Sequence, residues 1–312
     1  MLRQQFRSFY FHHMVHDMER LVEYFSVFGG LGWQIDIDAP LEELIETEIL
    51  DNFGILHNQI LALTTDEQQY SRLLTTLARG DRRIFSAFNK SGVSNLYGGL
   101  SLKHLQNTGV LEAEYSREEP PEKDGQKLKR EVARHRISHK MRFTSPFLRF
   151  WFYFIAPMRH QIEEGEYDKV IYNFKKHHQS FVGFTFEELS NEMMKMKLAT
   201  LQILDSGSYW DRYVEIDLMA RSANNQLIVG ECKWKNHKIN KKELNRLIEK
   251  CEKVDFHPDI YMFFAKRGFS KELLNMQDQK LQLYACDDFE ELLQNISEDD
   301  LIEGFSRDLP DY

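Results

Sequence analysis

Two apolar runs, YVEIDLMA (213–220) and QLIVGECKW (226–234), are separated only by the polar stretch RSANN, and this pair constrains the fold more than any other part of the chain. Each run has the length of a strand and the gap has the length of a turn, so the pair reads as a β-hairpin. Strand side chains alternate between faces. Val214, Ile216, Leu218 and Ala220 therefore share one face, expected to be the core face, and Glu215 and Asp217 share the other. In the second run Ile228, Gly230, Cys232 and Trp234 lie on one side, with Leu227, Val229, Glu231 and Lys233 on the opposite side. Pairing the runs brings Asp217, Glu231 and Lys233 together. They could be solvent-facing positions of a surface hairpin, or a site.

Facing carboxylates repel each other, and a divalent cation between them relieves the repulsion. Magnesium suits such a pair because it takes hard oxygen ligands, commonly one or two carboxylates together with waters and phosphate oxygens; manganese is the alternative. Lys233 would orient or deprotonate an attacking water and balance charge in a phosphoryl transition state. These parts suffice for phosphodiester hydrolysis. Cys232 falls on the opposite face from its neighbours and reads as a core thiol. Glu215 could support the metal pair or form a hairpin-edge ion pair, and Trp210 and Trp234 read as core or pocket-wall residues.

The flanking segments extend the pattern. GFTFEELSNEMMKMK reads as a helix and TLQILDSGSYW as a strand. NKKELNRLIEKCEKV reads as a helix with Asn240 and Glu243 at capping-box spacing and Leu244, Leu247, Ile248, Cys251 and Val254 on one face. IYMFFA and LQLYA supply two more strands and DDFEELLQNI a closing helix. The expected fold class is an α/β domain with an αβββαβ core around a mixed sheet, spanning 179–312 with an acidic C-terminal tail.

Upstream, the 312-residue chain is long enough for two or three domains. Residues 1–62 read as an all-helical segment. Residues 63–143 give three short helices, then strand-like LEAEYSR and ARHRISHKMRF, which is the layout of a winged helix-turn-helix. Residues 144–178 form an aromatic, helical connector. His12, His13 and His16 have helical metal-ligand spacing, but no acid pattern completes a site.

The formal net charge of -9 is uneven: residues 287–312 hold ten Asp or Glu and one Arg, whereas 127–142 hold seven Lys or Arg against one Glu. The basic run, with Lys127, Lys129, Arg130, Arg134, Arg136, Lys140 and Arg142, is the candidate for phosphate contacts. The opposite charges also raise the expectation that the tail covers this run. Three scattered cysteines without a CxxC pattern fit a reducing cytoplasm. No export signal is expected, and no membrane contact, because the most apolar segment, FLRFWFYFIAPM, contains Arg149 and is too short to span a bilayer.

On Asp217, the thirteen residues that follow it, and Glu231-Cys232-Lys233, the chain resembles the PD-(D/E)XK nuclease superfamily, over about residues 179–290. The resemblance implies metal binding by Asp217, Glu231 and the Cys232 carbonyl, a water-mediated metal contact by Glu187 (less well matched by Glu188), and service to the nucleophile by Lys233. LVEYFSVFGGLGW, TSPFLRFWFYFIAP, GFTFEEL, EIDLMA and GECKW also look like the region after the nucleotide-binding module of archaeal-type P-loop ATPases. No GxxxxGK[ST] is present, so no ATP is expected here, and the chain reads as a free-standing version of that tail.

The resulting expectation is an Mg²⁺- or Mn²⁺-dependent nuclease acting on DNA, with RNA the other substrate class that the pattern admits. The winged helix would bind nucleic acid or a protein partner, and a homodimer is a further expectation from the resemblance. The alternative is a non-catalytic DNA-binding or scaffold protein of nuclease-like fold.

Overall fold

The computed structural model describes residues 1–65, 67–117, 139–211, 213–305 and 307. The chain divides into two compact units: 1–114, 139–178 and 295–312 form the first, and 115–138 with 179–294 the second. A helical N-terminal region and a five-stranded mixed sheet make this an α/β chain. Among the described residues no helix is long and apolar enough to cross a membrane.

The first unit opens with α1 (Leu2–His13) and α2 (Met18–Phe28), the latter capped by the Asp17 side chain on the Arg20 N–H. After α3 (Leu41–Leu44) and a π-turn segment (Ile45–Leu50) come α4 (Phe53–Leu63), α5 (Gln68–Arg79), α6 (Ile84–Ser91) and α7 (Asn95–Asn107). Tyr70, Leu73, Leu74, Leu77 and Ala78 of α5 are buried along one helical stripe. Two short strands follow, β1 (Leu111–Glu114) and β2 (Lys140–Phe143), paired antiparallel from Leu111–Phe143 to Glu114–Lys140. Next are α8 (Pro146–Phe150), a second π-turn segment (Trp151–Ile155) and α9 (Arg159–Glu163). The last part of the expected connector and the helix expected from GFTFEEL form one 31-residue helix, α10 (Tyr167–Lys197).

The expected pairing of the acidic tail with the basic run falls largely outside the described residues. Within them, Asp300 receives both Arg7 Nε and Nη2 of α1, each at 2.8 Å, and Trp33 Nε1 donates to the Phe305 carbonyl at 2.6 Å. Arg7 is nearly buried, so it needs this partner, and its hydrogen bonds hold the Asp300 carboxyl below its ordinary pKa.

His13 of α1 serves structure. His13 Nδ1 lies 2.7 Å from the Phe9 carbonyl, and its Nε2 accepts the Ile35 N–H at 3.2 Å, which fixes the neutral tautomer. Burial lowers its pKa from 6.5, the Phe9 carbonyl partly opposing and His12 adding to the effect. Because the unfolded chain then binds the extra proton, stability should fall as pH drops from about 6.5 toward the lower folded-state value, and level off below it. Urea titrations between about pH 7.5 and 5 check this: His13→Phe should flatten the slope in that window, and an unchanged slope would refute the assignment.

The second unit is built on the sheet β3 (Ile203–Trp210), β4 (Glu215–Ser222), β5 (Leu227–Lys233), β6 (Ile260–Ala265) and β7 (Leu281–Ala285), in that spatial order. β3, β4 and β5 are antiparallel neighbours, whereas β5–β6 and β6–β7 are parallel. The parallel step is made possible by α11 (Lys241–Lys253), started by Asn240, whose side chain accepts the Lys242 N–H. Leu244, Leu247 and Cys251 of α11 pack with Met219, Val229 and Phe263 on one face of the sheet. On the other side Phe186 of α10 stacks on Phe289 at 4.9 Å and meets Trp234 at 5.1 Å. The closing segment Cys286–Leu293 is a 3-10 helix.

The expectation of one core face in β4 therefore needs correction: Leu218 and Met219 are both fully buried, because the sheet is covered on both sides. Gly230 shows how tightly. A Cβ there would stand 2.8 Å from the Met262 carbonyl oxygen and 3.3 Å from Leu218 Cβ, and a main-chain oxygen within a sheet cannot step aside. Gly230→Ala should cost about 1–3 kcal/mol, read as a lower denaturation midpoint. A neutral outcome would contradict this packing.

Candidate active site

β5 is the strand at which the sheet changes from antiparallel to parallel pairing, and its carboxyl end carries Glu231, Cys232 and Lys233. The β4–β5 ladder runs from Arg221–Leu227 to Leu218–Gly230, so Asp217 and Glu231 are the next residues beyond its last pair. Where the ladder stops, Asp217 Oδ2 accepts the Cys232 N–H at 2.9 Å. Lys233 Nζ stands 3.2 Å from Glu231 Oε2 and 3.7 Å from Asp217 Oδ2. Its main chain is held by the Lys266 N–H, which donates to the Lys233 carbonyl at 3.0 Å.

This is no surface hairpin. Glu231 is 4% exposed, and the side chains of Asp217 and Lys233 are 21% and 18% exposed. A buried carboxylate at such a position requires a cation. Lys250 of α11 supplies one: its Nζ reaches Glu231 Oε2 at 3.1 Å and also contacts Oε1. Lys250 was not legible as a site residue in the sequence. The one available sign is its place three residues after Leu247, at the edge of the buried stripe of α11.

Two lysines thus face two carboxylates, yet the charges do not settle evenly. Burial, reinforced by Glu231, raises the Asp217 carboxyl from 3.8 to about 6, with Lys233, the Cys232 N–H and Lys250 opposing. Relief of the repulsion between the two carboxylates is what a divalent cation would supply. Burial alone would lower the Lys233 ammonium, but Asp217 and Glu231 together raise it above its ordinary value. In this arrangement Lys233 is a proton donor and a positive charge, and unsuited to deprotonating a water. Burial, reinforced by Asp217 and Glu187, raises the Cys232 thiol well above its ordinary value, against a hydrogen bond from Ser190. A thiol so held is no nucleophile.

Glu187 lies half-buried on α10, near enough to Cys232 to act on its thiol; Glu188 is its half-buried neighbour. Glu215 is exposed and sits across from Trp210 at the start of β4. Among the described residues no group of three or more His, Cys, Asp or Glu is placed to hold a metal, so a metal here would rest on the Asp217–Glu231 pair and main-chain oxygen such as that of Cys232.

The basic run is different. Lys127, Lys129, Arg130, Arg134 and Arg136 lie outside the described residues. Of the two that are described, Lys140 is 1% exposed, too buried to reach a phosphate, and Arg142 is paired with Glu112 across the β1–β2 ladder at 2.6 Å. The ladder sets Arg142 opposite Glu112, and cross-strand opposite charges hold each other.

Comparison with known proteins gives similarity without a function. Residues 151–247 match the family DUF234, described as archaeal and bacterial proteins of unknown function. That span includes Glu187, Asp217, Glu231 and Lys233 and ends before Lys250. The uncharacterized protein MJECL04 of Methanocaldococcus jannaschii is 27% identical over 268 residues, 81% of this chain and 58% of the relative. The chain thus spans under two thirds of that relative's length. No solved structure matches.

Proposed function

We propose that the second unit is a PD-(D/E)XK-type nuclease that hydrolyses DNA phosphodiester bonds with Mg²⁺ or Mn²⁺. The observation that carries this reading is the convergence of Asp217, Glu231 and Lys233 in a buried pocket of charge at the carboxyl end of β5. Asp217 and Glu231 would hold the metal, which when bound would polarise the phosphate as a Lewis acid. Lys233, kept protonated by the two carboxylates, would stabilise charge on the reacting phosphoryl group or donate a proton to the leaving oxygen. Glu187 would take part from α10. The main chain around Cys232, fixed by its N–H on Asp217, keeps both carboxylates in place.

In the same reading, α5, α6, α7 and the β1–β2 ladder make a winged helix-turn-helix. Its third helix exposes Leu96 and Leu100, 78% and 62% accessible, with Phe85 nearby in sequence on α6. Apolar side chains at i and i+4 suit a protein partner better than base edges in a DNA groove.

A second reading is a non-catalytic binding platform. It is favoured by Lys250, which together with Lys233 already compensates Glu231 without a metal. Cleavage of single- and double-stranded DNA with Mg²⁺ or Mn²⁺, beside an EDTA control and Glu231→Gln, separates the two. Metal-dependent cleavage lost in the variant supports the nuclease. A folded wild type that cuts nothing on a broad panel supports the platform.

A further inference from the structure

A cavity of about 500 Å³ lies in the first unit, within the range of roughly 300–1,000 Å³ usual for small-ligand sites. Its floor is largely aromatic: the Phe53 ring stacks on Trp151 at 5.5 Å and 7°, and on His57 at 5.2 Å and 11°. Ile60 of α4 and Leu74 of α5 complete it. One wall is polar for a simple reason of helical spacing. Gln68, Ser71, Arg72 and Thr75 recur at i, i+3, i+4 and i+7 and so share the face of α5 that borders the cavity.

Charge at this cavity has one sign. Arg72, Lys90 and Arg159 border it, and among the described residues no Asp or Glu does. Arg159 is bound by Glu163 at 2.7 Å. Arg72 and Lys90 are exposed, and neither forms an ion pair among the described residues. A largely aromatic floor takes a flat body, hydroxyl and amide groups along one wall take a polyol, and two cations with no carboxylate among the described lining residues take an anion. We infer that this cavity binds a nucleoside 5′-phosphate moiety, with its base on the aromatic floor, its sugar along Ser71 and Thr75, and its phosphate between Arg72 and Lys90. Neither the Asp217–Glu231 site nor the proposed nuclease activity is needed for it.

The moiety has two sources, a free nucleotide or the 5′-phosphorylated end of a strand. Equilibrium dialysis of the full chain with AMP, adenosine, and single-stranded oligonucleotides with and without a 5′-phosphate distinguishes them. Metal-free buffer with EDTA prevents cleavage. Saturable binding is expected for AMP or for the phosphorylated oligonucleotide, and the tighter of the two identifies the source. Removing the phosphate, Arg72→Glu or Lys90→Glu should each weaken binding about tenfold or more, and Thr75→Trp should abolish it by filling the cavity. Arg72 and Lys90 are exposed, so their variants are expected to melt like wild type, which a thermal scan verifies. The inference is overturned if neither phosphorylated probe binds at about 1 mM, if adenosine binds as tightly as AMP, or if the folded charge-reversal variants bind like wild type.

Discussion

Asp217→Asn is expected to lower DNA cleavage by on the order of 10³-fold or more while leaving the protein at least as stable as wild type near neutral pH. The loss follows from removing a carboxylate at the only point where β4 and β5 bring two acids within reach of Lys233 among the described residues. The stability follows from the direction of its pKa. Asp217 is raised from 3.8 to about 6, so the folded state holds a proton that the unfolded chain has already released. Its favourable contribution is complete below 3.8 and disappears as pH rises through about 6; above that, the ionised carboxylate is a cost. Asparagine has no charge to desolvate and retains an oxygen for the Cys232 N–H. Cleavage assays paired with urea unfolding at about pH 5 and 7.5 read both effects. A variant that loses stability at the higher pH, or that keeps its activity, would contradict the role.

Phe186→Ala should be the most damaging core substitution near the site. Phe186 is fully buried, stacked on Phe289 and packed against Trp234, so truncation removes an aromatic side chain from a place with no room to collapse. The expected cost is about 3–5 kcal/mol, and a fall of roughly 10 °C in the melting temperature of the sheet-bearing unit. Phe186 also precedes Glu187 on α10, so at temperatures where the variant stays folded, cleavage should drop as well. Phe186→Leu, which keeps most of the volume, should recover most of both. A melting temperature within a degree or two of wild type would show that α10 does not depend on this contact.

The sheet was legible because its strands announce themselves. Alternation in YVEIDLMA and QLIVGECKW fixed which residues can meet, and Asn240 with the apolar stripe of α11 located the helix that turns antiparallel into parallel pairing. Three things were not legible. An acid inside an apolar run looks like a solvent-facing position, so burial of both faces of β4 emerged only with α10 and α11 in place. Lys250 joins the site through the docking of α11 on the sheet, a long-range relation that local periodicity does not carry. Lys140 and Arg142 read as part of a basic run because charge counts ignore pairing, and the ladder buries one and pairs the other. Continuity of α10 was missed because its aromatic first half differs in composition from its second half, although nothing in Tyr167–Lys197 breaks a helix: the segment has no proline.

The central claim is that Asp217 and Glu231 form a metal site, and metal binding tests it without requiring a substrate. Calorimetric titration of Mn²⁺ into wild type, Asp217→Asn and Glu231→Gln at a pH above 7 should give one saturable site in the wild type that both variants lose. Mn²⁺ binding that is absent from the folded wild type, or that survives unchanged in both variants, would contradict the claim and leave the two lysines as the cluster's resident cations.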